Sequence, residues 1–166
     1  MDIASATQSD IPAICELADQ INAIHHQQLP DLFINPSTIK GSNEFWSKQL
    51  TSDNSVFLVA KKEDKVVGFI TAKLTENTEL PFITRNKLCR IGTIVVSEGY
   101  KKKGVGREMM KEVEKWALDY GAAEVRLEVM EFNSNAQSFY DTIGYKNSSR
   151  IMAKKLPNKE NSDGQS

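Results

Sequence analysis

The chain has 166 residues, with 21 Lys plus Arg against 22 Asp plus Glu and a formal net charge of −1. That length suits one domain with its own core, and the even balance excludes a global field aimed at nucleic acid or an acidic membrane, so any recognition of anions must be local. The two cysteines, Cys15 and Cys89, have no metal-ligand spacing and sit in apolar surroundings; this predicts buried, reduced thiols and a cytoplasmic setting.

The opening MDIASATQSD has neither a basic n-region nor an apolar h-region, and no apolar run approaches the roughly 20 residues of a membrane span. DIASA reads as a short strand. SDIPAICELADQINAIHH follows as an amphipathic helix with Ser9 as N-cap, Pro12 in the first turn, and Ile11, Ile14, Leu17, Ala18, Ile21 and Ile24 on one face. Pro30 and Pro36 break QQLPDLFINPST, after which SNEFWSKQLT predicts a short second helix capped by Ser42. SVFLVAKKEDKVVGFITAKLTE predicts a hairpin, two β-branched and aromatic runs joined by the polar KKED. A polar loop around Pro81 leads to the strand KLCRIGTIVV, which runs into YKKKGVGREMM.

From Gly104 to Tyr120 the apolar positions Val105, Met109, Val113, Trp116, Ala117 and Tyr120 keep helical spacing, and Gly121 stands where a C′ glycine belongs. AEVRLEVM alternates as a strand does. NSNAQSFYDTI predicts a short helix ended by Gly144, and YKNSSRIMAKKL a last strand or hairpin. The tail PNKENSDGQS has almost no apolar content, so residues 1–156 are expected to form one domain and 157–166 a disordered tail. The order β-α-(α)-β-β-β-α-β-α-β predicts an α/β layered domain with one strand, glycine turn, helix and strand crossover.

Where a strand enters a glycine-containing turn that starts a helix, several backbone N–H groups lack intrahelical acceptors, and the helix dipole favours negative charge there. Gly104 and Gly106 let the backbone approach a diphosphate, while Lys101, Lys102, Lys103 and Arg107 supply charge at its edges. A solvated charge run before a helix is the competing reading of this stretch alone. Two phosphate motifs fail: there is no G-x-x-x-x-G-K-[ST], and no third glycine stands at Met109 with a ribose-binding acid to follow.

The C-terminal half resembles the GNAT superfamily of N-acetyltransferases. TIVVSEGYKKKGVGREMM is similar to its acetyl-coenzyme A signature, Q/R-x-x-G-x-G/A opening a helix, with Lys101 departing from the first position. LEVMEFNSNAQSFYDTIGY is similar to the second block, with Asn133, Ala136, Tyr140, Gly144 and Tyr145 in register. The resemblance covers about Val56 to Leu156. It implies a GNAT acyl-CoA N-acyltransferase fold, with a mixed central sheet of about six to seven strands flanked by about four helices. It also implies acetyl-CoA as cosubstrate, an amine acceptor, no metal, and a homodimer as a common assembly.

Residue by residue, the resemblance implies that the pantetheine arm lies along Ile94, Val95 and Val96. The pyrophosphate would fall on the N–H groups of Lys102 through Arg107, Val105 among them. Asn133, with Ala136 behind it, would bond the pantetheine or cap its own helix. Tyr140 matches the tyrosine that donates to the thioester sulfur; a phenol stays protonated at neutral pH, and its reference pKa of ~10 is near the ~8.5 of a thiol. Where many members carry a fourth-strand glutamate this chain has Gly92 and Thr93, which leaves Glu128 on the fifth strand as the candidate base, a strand-edge salt bridge being its alternative role. His25 and Phe33, at the end of the first helix region, are the candidate acceptor contacts, against helix C-terminal capping as the plainer role of a histidine there. The expected activity is acetyl transfer to a primary amine by direct attack in a ternary complex. The alternative is a non-catalytic acyl-CoA sensor.

Overall fold

The computed structural model describes residues 1–159. By contact it divides into two compact units, residues 1–132 and a smaller one from Asn133 onward. The first contains β1 (Asp2–Ser5), α1 (Ile11–Gln28), α2 (Ser42–Gln49), β2 (Ser55–Lys62), β3 (Lys65–Thr75), β4 (Leu88–Val96), α3 (Val105–Asp119) and β5 (Glu124–Arg126); the second contains α4 (Ser134–Thr142). Most of the tail expected over 157–166 lies outside the described residues.

The start of α1 is set one residue later than expected. Thr7 and Asp10 close a capping box over the 3-10 turn Gln8–Asp10, with the Thr7 N–H donating to Asp10 Oδ2 at 2.9 Å. Asp10 then serves as N-cap of α1 in place of Ser9. Its carboxylate is 5 % exposed and meets Lys61 Nζ at 2.7 Å, which ties the head of α1 to the end of β2. Ile11, Ile14, Leu17 and Ala18 are buried as their spacing requires, whereas Ile24 near the far end of the helix is exposed. α2 is entered through Gly41 at φ +82° rather than through a capping Ser42 side chain, and it delivers Trp46 to the core.

The sheet has the order β1-β2-β3-β4-β5, antiparallel except for the parallel β4–β5 ladder. One face carries Phe57, Val59, Phe69 and Val95 against α1 and Trp46 of α2. The other face meets α3: a Cβ on Gly68 would lie 2.9 Å from the Val95 carbonyl and 3.1 Å from Met109 Cε, so only glycine lets the helix approach there.

The feature that shapes the middle of the sheet is a bulge in β4. Thr71 lies opposite Thr93 and Ala72 opposite Ile91, which leaves Gly92 as the extra residue. The Thr71 hydroxyl accepts the Thr93 N–H at 3.1 Å and so satisfies a donor at the irregularity. A bulge bends its strand and sharpens the local twist. The β4–β5 ladder accordingly holds only for Leu88, Cys89 and Arg90 against Glu124, Val125 and Arg126. The strand expected over AEVRLEVM is therefore three residues long, and Leu127–Met130 leaves the ladder.

In the second unit α4 ends in a left-handed Gly144 at φ +98°. The chain beyond it, residues 145–158, has no regular element, so the strand expected in YKNSSRIMAKKL does not form, and among the described residues the sheet has five strands instead of six to seven. Ile151 and Met152 are adjacent rather than alternating, both are mostly exposed, and the described part of this unit has no strand for them to pair with. Among the described residues no helix is long and apolar enough to cross a membrane.

Candidate active site

β4 is continued by Ser97, whose N–H donates to the Val67 carbonyl at 2.8 Å, and by the 3-10 turn Glu98–Tyr100. The next four residues turn tightly. Lys102 has φ +59° and Gly104 φ +85°, and left-handed residues interleaved in this way turn successive N–H groups toward one concave side. α3 starts at Val105 behind the Gly104 cap, which has no side chain to close the helix end. The first N–H to return into the helix is that of Glu108, to the Gly104 carbonyl at 3.0 Å. Helix geometry thus leaves the donors of Val105, Gly106 and Arg107 for another acceptor.

The lysine side chains are partly committed elsewhere. Lys101 pairs with Glu98, and Lys103 Nζ donates to the Gly99 carbonyl at 2.8 Å while lying 5.4 Å from the centre of the Tyr100 ring. Lys102 and Arg107 are exposed. Val105 is buried, anchoring the first turn, and Gly106 is half-buried beside it.

Upstream, Val95 points into the α1 and α2 cluster, and Ile94 and Val96 are half-buried. All three pair with β3 on one side, Ile94 with Ile70, Val95 with Phe69 and Val96 with Gly68, while on the other side the β5 ladder has already ended at Arg90. Glu128, two residues beyond β5, is exposed. A shallow pocket of about 40 Å³ lies at the bulge, lined by Gln49, Ser55, Val56, Phe57, Thr71, Ala72 and Gly92. This pocket was not anticipated from sequence. The signal for it was the isolated glycine inside CRIGTIVV, since a glycine within a strand marks a bulge or a close approach.

His25 and Phe33 come together, with ring centroids 4.7 Å apart, and Phe132 meets the His25 ring edge-on at 5.4 Å. The His25 Nδ1 donates to the Ile21 carbonyl at 2.8 Å, and the His26 Nδ1 donates to the Phe33 carbonyl at 2.7 Å. The His26 hydrogen bond therefore fastens the turn after α1, which the His25 side chain meets through its ring contact with Phe33. In neutral His25 the Nε2 lone pair is left available.

In the second unit Asn133 caps α4, its side-chain oxygen accepting the Ala136 N–H at 3.1 Å. Tyr140 sits in the last turns of α4 in ring contact with Phe139 and with Tyr145. Burial pushes its phenol up to about 12.

Cys89 is fully buried, and burial raises its thiol to about 11; Cys15, also free, is raised by burial and by the neighbouring charge of Asp19. Neither environment favours a thiolate nucleophile. Among the described residues no group of three or more His, Cys, Asp or Glu is placed to hold a metal ion.

The family model "Acetyltransferase (GNAT) family" matches residues 19–145. An uncharacterized N-acetyltransferase of Bacillus subtilis (strain 168), YhfO, is 24 % identical over 145 residues, covering 87 % of this chain and 89 % of that protein. Human N-acetyltransferase 8 is 24 % identical over 114 residues, covering 69 % of this chain and 48 % of the human protein. Among solved structures, a mutant of the BH1408 protein from Bacillus halodurans superposes with a TM-score of 0.88 at 23 % identity, covering 95 % of this chain and all (100 %) of that one. The aminoglycoside N-acetyltransferase AAC(6')-Iy, solved in complex with CoA, superposes with a TM-score of 0.67 at 16 % identity, covering 95 % of this chain and 100 % of its own. At these identities the structures speak for the fold, and the family match speaks for descent: the chain belongs to the GNAT acetyltransferase family.

Proposed function

We propose that the protein transfers an acetyl group from acetyl-CoA to a primary amine by direct attack in a ternary complex. The observation that carries this reading is the parting of β4 from β5. The ladder stops at Arg90, the Gly92 bulge follows, and among the described residues the backbone of Ile94 to Val96 has no ladder on the side away from β3, in line with a glycine-capped helix start. An extended pantetheine arm, with its two amides, suits the first element, and a diphosphate suits the second. Ile94, Val95 and Val96 would hold the arm. The N–H groups from Lys102 through Arg107 would hold the diphosphate, with Lys101 and Lys103 at its margin.

In the reaction the amine attacks the thioester carbonyl, the C–S bond breaks, nitrogen loses a proton and the coenzyme A sulfur gains one. A backbone N–H near Val96 would stabilise the oxyanion, Glu128 would take the amine proton, directly or through water, and Asn133 with Ala136 would fix the start of α4. Tyr140 follows the family pattern as the donor to sulfur. A phenol raised to about 12 is a weak acid beside a thiol at about 8.5. Its contribution is then a hydrogen bond to the developing thiolate, in place of the outright proton transfer that an ordinary phenol would allow; Glu128 would pass the amine proton to solvent, and the thiolate would take one from solvent to leave as the thiol. His25 and Phe33, packed together, would border the acceptor.

The test is coenzyme A release from acetyl-CoA over a panel of amines, with Tyr140→Phe as control, together with calorimetric titration of acetyl-CoA. Release that depends on Tyr140 supports the proposal; absence of acetyl-CoA binding would sink it.

A further inference from the structure

One row of the sheet, on the face that α1 and α2 cover only in part, carries three cations side by side. Lys73 of β3 lies directly opposite Arg90 of β4, and Arg90 directly opposite Arg126 of β5. Directly opposed residues project from the same face, and Lys73 follows Phe69 and Thr71 on the face where Phe69 meets Trp46. All three are exposed, and with strands about 4.8 Å apart the row spans roughly 10 Å. Like charges placed directly opposite one another destabilise a sheet. Glu124 answers only the last of them, through Arg126 Nε. Among the described residues neither Lys73 nor Arg90 has a carboxylate partner.

The row continues into the pocket at the bulge. Ser55, opposite Lys73, is one of the pocket's walls, and Thr71 and Gly92, two more, are two residues from Lys73 and Arg90 along their strands, about 7 Å. The diphosphate cradle is not their business: Arg90 is six residues upstream of Val96, about 20 Å along the strand. We infer that this row is an anion subsite for the acceptor, so that the amine acetylated by this protein carries a carboxylate or phosphate of its own. The inference rests on the acetyltransferase reading above and narrows it. Polyamines and aminoglycosides, which are polycations, are disfavoured by the same three charges.

The experiment compares coenzyme A release with 6-aminohexanoate, 6-aminohexyl phosphate, hexylamine and 1,6-diaminohexane, and with tetrapeptides bearing glutamate or lysine near a free N-terminus. The expected result is a tenfold or greater kcat/KM advantage of the anionic amines over the diamine. It should shrink with added salt and reverse toward the diamine in Arg90→Glu. The small acids and the acidic peptides form separate arms, so the source of the anionic group is read at the same time. Equal kcat/KM across the panel, or a preference unchanged in both Arg90→Glu and the milder Lys73→Gln, overturns the inference and leaves the acetyltransferase reading standing. If no amine releases coenzyme A, that reading fails instead, and the subsite is decided by binding. 6-Acetamidohexanoate should then raise the melting temperature of the CoA-saturated protein, and N-hexylacetamide should not; equal shifts, or none from either, overturn it.

Discussion

The Tyr145 N–H donates to the Tyr140 carbonyl at 2.9 Å, and the two rings lie 6.0 Å apart. With the Gly144 N–H bonded to the Asp141 carbonyl at 3.1 Å, this is a Schellman closure of α4 with its usual apolar contact across the helix end. The backbone that bears the proposed sulfur donor is therefore held by the residue that follows the left-handed glycine. Gly144→Ala forces a Cβ into the left-handed region, at roughly 1–2 kcal/mol, although its space is open. It should lower kcat while acetyl-CoA affinity changes little, as steady-state kinetics and calorimetry together would show.

Tyr140 also sets an expectation for pH. Burial raises the phenol to about 12, so it stays protonated, and able to donate, throughout the range in which an ordinary tyrosine at about 10 would be lost. An alkaline fall in kcat centred near the ordinary value, absent in Tyr140→Phe, would contradict that environment.

At the α3 start, the backbone rather than the lysines is expected to bind. Gly104 at φ +85° has no heavy atom within 4 Å of a would-be Cβ, so Gly104→Val suffers from conformation, not from collision. Acetyl-CoA affinity should fall about tenfold, corresponding to roughly 1–2 kcal/mol of left-handed strain. Lys101→Ala or Lys103→Ala should each cost less, because those ammonium groups already serve Glu98 and the Gly99 carbonyl. Equal losses in a calorimetric series would return the stretch to a mere charge run.

Asp10 predicts an acid-dependent stability term. Burial by itself would raise its carboxyl, but the hydrogen bonds from Lys61 and Thr7 outweigh burial and hold it below the ordinary 3.8. A depressed folded pKa stabilises the native state above the ordinary value, and that contribution fades as pH falls through the folded one. Asp10→Asn should therefore cost about 1–3 kcal/mol at neutral pH, with the gap to wild type closing on acidification below the ordinary carboxyl range. Urea denaturation at stepped pH reads this directly.

Gly68 offers a packing test. Gly68→Ala places a methyl group 2.9 Å from the Val95 carbonyl, a backbone atom that cannot swing aside. A loss of about 1–3 kcal/mol is expected, seen as a lower melting temperature with the denaturant slope unchanged.

Helix periodicity, the KKED hairpin and the glycine-opened helix were legible because each depends on neighbours in sequence. Gly121 and Gly144 both end their helices in left-handed backbone, as their places after apolar runs indicated. What escaped was non-local. Whether AEVRLEVM pairs over eight residues or three is decided by a bend in another strand, at Gly92, more than thirty positions away. The row Lys73, Arg90 and Arg126 exists only once two ladders fix their register; in sequence the three are unrelated charges on separate strands. Asp10 instead of Ser9 stands at the N-cap position, and its carboxylate bonds back to Thr7 and across to Lys61, a partner that only the fold supplies.

The parting at Arg90 also bears on how the protein behaves when nothing fills it. Among the described residues, the side of β4 turned toward β5 carries backbone donors and acceptors outside any ladder from Ile91 to Val96, an edge in the interior of a sheet instead of at its rim. Unpaired edges recruit extended chains without regard to identity. If coenzyme A fills that slot as proposed, preparations depleted of it are the ones expected to self-associate through β4, and light scattering with and without added coenzyme A would read the difference.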